Sequence, residues 1–277
     1  MTAEDDIFSV GGDIAPLSAP SQDLQRTLRK RLTKGSRVHT ATLFKPMSAL
    51  ETPEHHFPLQ TVHPRTPQPR FVNRYDSREI LIAVDGSCAN QGCKARLNTG
   101  GCSFAYKGPG GVVEEHSRDG VATFDGGRVG FPLEDQGPEG EFHQSSSNRA
   151  KLRAVIAALQ FRAWEQEGWK RIVVATNLKY VAFGATMWLP TWVRRRWRTR
   201  QCKQVANRDL WEELSGVIEN LSRLGTEVSF WLLPPHFAKK RGSPLICDTK
   251  DAAREAATAR YDMLMAEFRR LCGIEIE

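Results

Sequence analysis

The chain has 277 residues, with 39 Lys and Arg against 32 Asp and Glu, a formal charge of +7 and a sequence pI near 9.2. That length holds one large domain with an appendage, or two small ones, and a hydrophobic fraction of 40% excludes a wholly disordered chain. The basic balance admits a polyanionic partner without requiring one, and no apolar run approaches the roughly 18 residues of a membrane span. The opening MTAEDDIF has neither the charged-then-apolar order of a secretion signal nor the early arginines of a transit peptide. The expectation is a reducing nuclear or cytoplasmic compartment, where the six cysteines are thiols.

Eight of the 15 prolines precede residue 79, and the apolar residues there keep no sustained period, so residues 1–78 read as a Pro-rich, partly basic disordered tail. Within it, Leu24 to Lys34 is basic-rich with leucines at 24, 28 and 32. That spacing fits an amphipathic helix, as an import signal, a phosphate-contacting arm or a merely solvated run. From Glu79 the punctuation is that of an α/β domain. Ile80 to Val84 is a continuous apolar run ending in Asp85-Gly86-Ser87, as a strand buried on both faces ends. Cys102 to Tyr106 and Val112 to Glu115 flank Gly108-Pro109-Gly110-Gly111 and read as antiparallel partners. The insertion from Asp119 to Glu141 has room for one more strand. Ser145 to Asn148 offers several helix caps, with Leu152, Val155, Ile156 and Leu159 behind as one buried stripe. Arg171 to Thr176 is a further buried strand, Leu178 to Gly184 opens a second helix, and Asp209 to Leu224 is a third. Val228 to Leu233 closes the sheet, and Lys250 to Phe268 reads as a final alanine-rich helix. Strands and helices in this order specify a mixed α/β sheet with helices on its faces. The divisions expected are a tail over 1–78, a domain over 79–260 and a C-terminal helix extension over 261–277.

Four segments, in order, resemble the type 1 ribonuclease H family: Val84-Asp85-Gly86-Ser87-Cys88 at a strand end, Ser147-Asn148-Arg149-Ala150-Lys151-Leu152 at a helix start, Ala175-Thr176-Asn177-Leu178-Lys179-Tyr180-Val181 at another strand end, and Asp251-Ala252-Ala253 in the last helix. The resemblance implies a five-stranded mixed sheet, the first three strands antiparallel and the fourth and fifth parallel to the first. It also implies nuclease chemistry on the RNA strand of RNA–DNA hybrids, carried by two magnesium ions on four carboxylates. Such ions stabilise the attacking and leaving oxygens of a phosphodiester and need hard oxygen ligands. Asp85 matches the first carboxylate and is the one remaining metal-ligand candidate. Lys151 stands where the family has glutamate, Asn177 where it has aspartate, and Asp251 matches the fourth carboxylate only if a one-residue gap is allowed. The local charge is about three units more positive than the family pattern, so the expectation is that no metal pair binds. Mg2+ enters only if activity remains.

Binding is expected to outlast cleavage. Between Trp188 and Lys203 stand Trp192, Arg194, Arg195, Arg196, Trp197, Arg198 and Arg200 without one acid. This segment resembles the basic protrusion with which family members grip the DNA strand; guanidinium groups pair with phosphates and indoles stack on bases or sugars. The alternative is that the tryptophans pack inward and the arginines are solvated. Asn90 and Asn148 match residues that contact the hybrid minor groove in the family, and each has a plain alternative as turn residue or helix cap. Lys151 could contact a phosphate directly. His236 falls where the family often has a histidine that assists turnover, or is an ordinary loop histidine. Cys88, Cys93 and Cys102 lack zinc-pair spacing. The reading is a protein that binds RNA–DNA hybrid or double-stranded RNA without efficient cleavage, with protein partners through the tail. Two alternatives stand beside it: an active hybrid nuclease with an altered metal site, and a protein-interaction scaffold on the same fold.

Overall fold

The computed structural model describes residues 41–48, 50–61, 68–89, 99–108, 123–125, 127–239, 242–258 and 267–271. Its centre is β4 (Glu79–Ala89), whose apolar run leaves Ile80 to Ala83 without exposure. One edge of β4 pairs antiparallel with β5 (Thr99–Ala105), which pairs with β7 (Arg128–Pro132), which pairs with the short β6 (Thr123–Asp125). The other edge pairs parallel with β8 (Arg171–Thr176), and β8 with β9 (Glu227–Leu232). The family arrangement of three antiparallel and two parallel strands is therefore present, in a sheet that has seven strands among the described residues rather than five. One addition is β6; the other is β1 (Thr42–Leu43), parallel to β9 with Thr42 opposite Ser229. The expected strand at Val112 to Glu115 lies outside the described residues. The second partner of β5, β7, comes from the 119–141 insertion, whose described residues hold two strands instead of one.

Alternation along β4 divides the core. Ile80, Ile82 and Val84 face α2 (Ser147–Gln160) and α5 (Arg208–Arg223), whereas Leu81 and Ala83 face α6 (Pro244–Thr258). The stripe of Leu152, Val155, Ile156 and Leu159 is buried as its spacing requires. Gly184 lets the ring of Trp211 approach: a Cβ there would meet that ring at 2.2 Å. The helix opened by α3 (Lys179–Phe183) passes through a π-helical turn at this glycine and continues as α4 (Leu189–Arg194).

The last helix starts six residues before the expected Lys250, at Pro244, and residues 267–271 are not helical. Its start is capped locally and from a distance. Ser243 Oγ accepts from Ile246 N at 3.2 Å, with Pro244 in the first turn, and the Glu54 carboxylate accepts from Leu245 N at 2.9 Å and from Ser243 Oγ at 2.6 Å, an addition that no local motif announces. Glu54 belongs to α1 (Pro53–His56), inside the stretch expected to be a tail. That expectation fails from Ala41 onward. Thr52 caps α1 and Pro53 occupies its first turn, and β2 (Leu59–Gln60) pairs with β3 (Arg70–Phe71). Phe44, His56 and Phe57 gather on Trp231, with ring centroids 5.3 to 6.1 Å from it. The prolines here shape short elements packed on the sheet. Leu24 to Lys34 lies outside the described residues.

Candidate catalytic centre and nucleic-acid interface

Asp85 follows Leu81 and Ala83 on the α6 face of β4, opposite Ser103 of β5, and its side chain is 5% exposed. Gly86 N donates to its Oδ1 at 2.7 Å. A Cβ on Gly86 would meet Lys151 N at 2.4 Å, so only glycine lets the first turn of α2 lie against the strand. This close approach puts Lys151 beside Asp85. The Lys151 ammonium is ion-paired with Asp85 Oδ1 and donates to Asn177 Oδ1 at 2.8 Å. Asn177 directly follows β8, where the chain turns with Leu178 N donating to Thr176 Oγ1 at 3.3 Å.

Three of the four positions singled out in the sequence thus converge, and together they carry no net charge: one carboxylate, one ammonium and one amide. Asp251 does not join them. In α6 the residues on the sheet are Ile246, Thr249, Ala253, Ala256 and Ala257; Ser103 Oγ donates to Thr249 O. Asp251 is two residues from both Thr249 and Ala253, and about 100° of rotation per residue turns it to the opposite side. Its carboxylate is 61% exposed and pairs with Arg254 at 3.1 Å. The neighbouring Lys250 donates to Ala238 O at 3.1 Å. Among the described residues no group of three or more His, Cys, Asp or Glu is placed to hold a metal ion. These residues do not fit a pair of divalent cations, since the one buried carboxylate already carries an ammonium.

Asn148 is exposed at the start of α2, and the cap is Ser146, which accepts from Arg149 N at 3.2 Å. The cap role weighed for Asn148 is therefore excluded, and its amide is open to the surface. Asn90 lies outside the described residues. Cys88 donates to Ser145 O at 3.6 Å, and burial pushes its thiol up. Cys102 is buried, with its thiol raised well above the usual range by the same cause. Both are neutral thiols and poor metal ligands. His236 is exposed, with its ring 4.4 Å from that of Phe237.

The basic segment divides into two parts. Arg194, Arg195, Arg196, Arg198, Arg200 and Lys203 lie at the surface, and none forms an ion pair among the described residues. Arg198 donates to Cys202 O at 2.9 Å. Trp197, expected to stack on nucleic acid, is instead a core residue at 5% exposure with Arg208 over its ring at 5.5 Å. The chain achieves this by taking positive φ at Arg196 and Trp197, 52° and 61°. Trp192 is half-buried between Trp188 and Trp211, at 5.7 and 5.3 Å. Trp188, 38% exposed, is the indole the segment still offers outward.

Two buried neighbours of the centre have no local sequence signal. Arg149, buried in the first turn of α2, holds Asp209 through two hydrogen bonds of 3.0 and 2.7 Å, with His143 Nε2 3.4 Å from the same carboxylate. Arg153, without exposure, pairs with Glu134 and stacks over Phe131 and Phe268 at 5.1 and 4.4 Å. They fix the helix that carries Asn148 and Lys151.

The sheet thus carries Asp85 within β4 and Asn177 just after β8, with Lys151 reaching between them. A family model for RNase H matches residues 77–227, more than half of the chain. The Ribonuclease H of Treponema pallidum subsp. pallidum is 33% identical over 172 residues, spanning 60% of this chain and 94% of that protein. The Ribonuclease H of Xanthomonas axonopodis pv. citri is 44% identical over 70 residues, 25% of this chain and 44% of that protein. Further curated relatives match over 43 to 73% of their own length. Among solved structures, the PFV RNase H domain is similar at 14% identity and a TM-score of 0.43, covering 64% of this chain and 93% of that one. The chain belongs to the ribonuclease H family.

Proposed function

We propose that this chain binds RNA–DNA hybrid or double-stranded RNA without cleaving it efficiently. The observation that carries the proposal is the Lys151 ammonium lodged on Asp85 and Asn177, where two-metal hydrolysis needs carboxylate oxygens and cations. Charge-stabilising groups of this kind are among the largest contributors to catalysis, and this centre has exchanged two of them. Binding is supported separately by the surface cations from Arg194 to Lys203, which repel one another until a polyanion neutralises them. Asn148 stands open beside the centre, where a shallow minor groove and its 2′-hydroxyls can be read.

The test is a titration of labelled hybrid against salt, with fragment release followed in the same samples in Mg2+ and in Mn2+. Engagement of four to six phosphates gives a log–log slope of roughly −4 to −5. Intact hybrid alongside that slope is the expected result. Efficient release of fragments, abolished by Asp85→Asn, would establish instead an active nuclease with an altered metal site. Absence of binding at low salt would leave only a scaffold.

A further inference from the structure

We infer that Lys151 is a resident cation: its ammonium takes the place of the family's divalent metal and donates directly to a backbone phosphate oxygen, so that nucleic acid binds at this centre without magnesium. The inference rests on the proposed binding function and specifies how the old centre takes part in it. An ammonium has three N–H donors. Asp85 and Asn177 engage two of them, and the side chain keeps 12% exposure. One donor is left for an oxygen arriving from solution.

The surroundings favour an anion there. Lys151 lies in the opening turns of α2, a 14-residue helix whose first turn carries no acidic residue, and a helix N-terminus attracts negative charge. Asp85 is already neutralised by Lys151, so a phosphate meets no net negative charge on approach. The position is also rigid. Gly86 seats the helix turn against β4, and Arg149 anchors the same turn to Asp209. A phosphate contact at Lys151 therefore loses little side-chain freedom on binding.

The experiment compares the wild-type chain, Lys151→Arg, Lys151→Met and the double variant Asp85→Asn with Lys151→Met. Hybrid affinity is measured across salt concentrations in EDTA and in MgCl2 at matched ionic strength, after circular dichroism and thermal melting have established folding. The double variant exchanges a neutral ion pair for two neutral side chains, so it tests the contact even if Lys151→Met alone fails to fold. Wild type is expected to bind equally in both buffers. The double variant should bind more weakly, its log–log salt slope shallower by about one unit, while Lys151→Arg keeps the wild-type slope. An unchanged slope in the double variant would overturn the inference, as would clear strengthening of wild-type binding by Mg2+. If the slope is unchanged but substitution of Arg196 and Arg198 by Ser weakens binding, the binding function stands and only the resident-cation role fails. If wild type does not bind hybrid at all, the binding function fails with it.

Discussion

At the scale of single residues, the centre is governed by one compensated charge. Lys151 and Asp85 are both mostly buried, and removing one member of such a pair strands the other. Lys151→Met is therefore expected to destabilise the protein by about 3 kcal/mol in urea unfolding. Adding Asp85→Asn should recover most of that loss, a non-additivity that a double-mutant cycle measures directly. A second residue-scale prediction concerns Glu167. Burial raises its carboxyl pKa, but Arg70 and Arg162 outweigh burial and, with the Trp169 indole donating at 2.8 Å, hold it below the ordinary value of 4.5. A depressed folded-state pKa means that its stabilisation is full above 4.5 and is lost as the pH falls through the lower folded value. Melting temperatures below pH 4.5 should therefore drop less steeply in Glu167→Gln than in the wild type, from a lower plateau at neutral pH.

At the scale of elements, the basic segment separates packing from binding. Trp197→Ala removes a buried indole and is expected to cost about 3–5 kcal/mol of stability in denaturant unfolding. Replacing Arg196 and Arg198 by Ser should leave the melting temperature nearly unchanged while flattening the salt dependence of hybrid binding. Sequence made the six arginine and lysine positions legible, because no acid falls among them, but could not tell an indole that stacks outward from one that packs inward. That choice depends on Arg208 and on two residues in left-handed backbone, which no spacing rule foretells. The same division runs through the rest of the molecule. Periodic apolar stripes revealed β4, β8, β9 and the α2 helix, since hydrophobic spacing is local information. Arg149 and Arg153 escaped notice because one partner, Asp209, lies 60 positions away and the other, Glu134, sits 19 positions back in the insertion. Asp251 looked like a ligand because letters can be slid by one residue, whereas a helix cannot be rotated by about 100° without unburying its alanines.

At the scale of the whole molecule, the domain is larger than its family frame. Residues 41–61 add a strand beside β9, an aromatic cluster on Trp231 and a second, distant cap on α6. A variant beginning at residue 77 would bare Trp231 and lose the fully buried Phe57. The expected cost is on the order of 3 kcal/mol or more, read as an earlier unfolding midpoint than that of the full chain. Glu54→Ala isolates the cap and should cost about 1 kcal/mol by the same assay. The placement of β1 also has a consequence for synthesis. The ribosome releases Thr42 long before Ser229, its partner across the sheet, and Glu54 long before Leu245. This earlier-made segment must therefore wait, its aromatic rings without Trp231, until almost the entire domain has been translated. Its docking closes the fold, so a nascent chain stalled before β9 should stay sensitive to protease near Phe44 and Phe57 after β4 and β5 have become resistant.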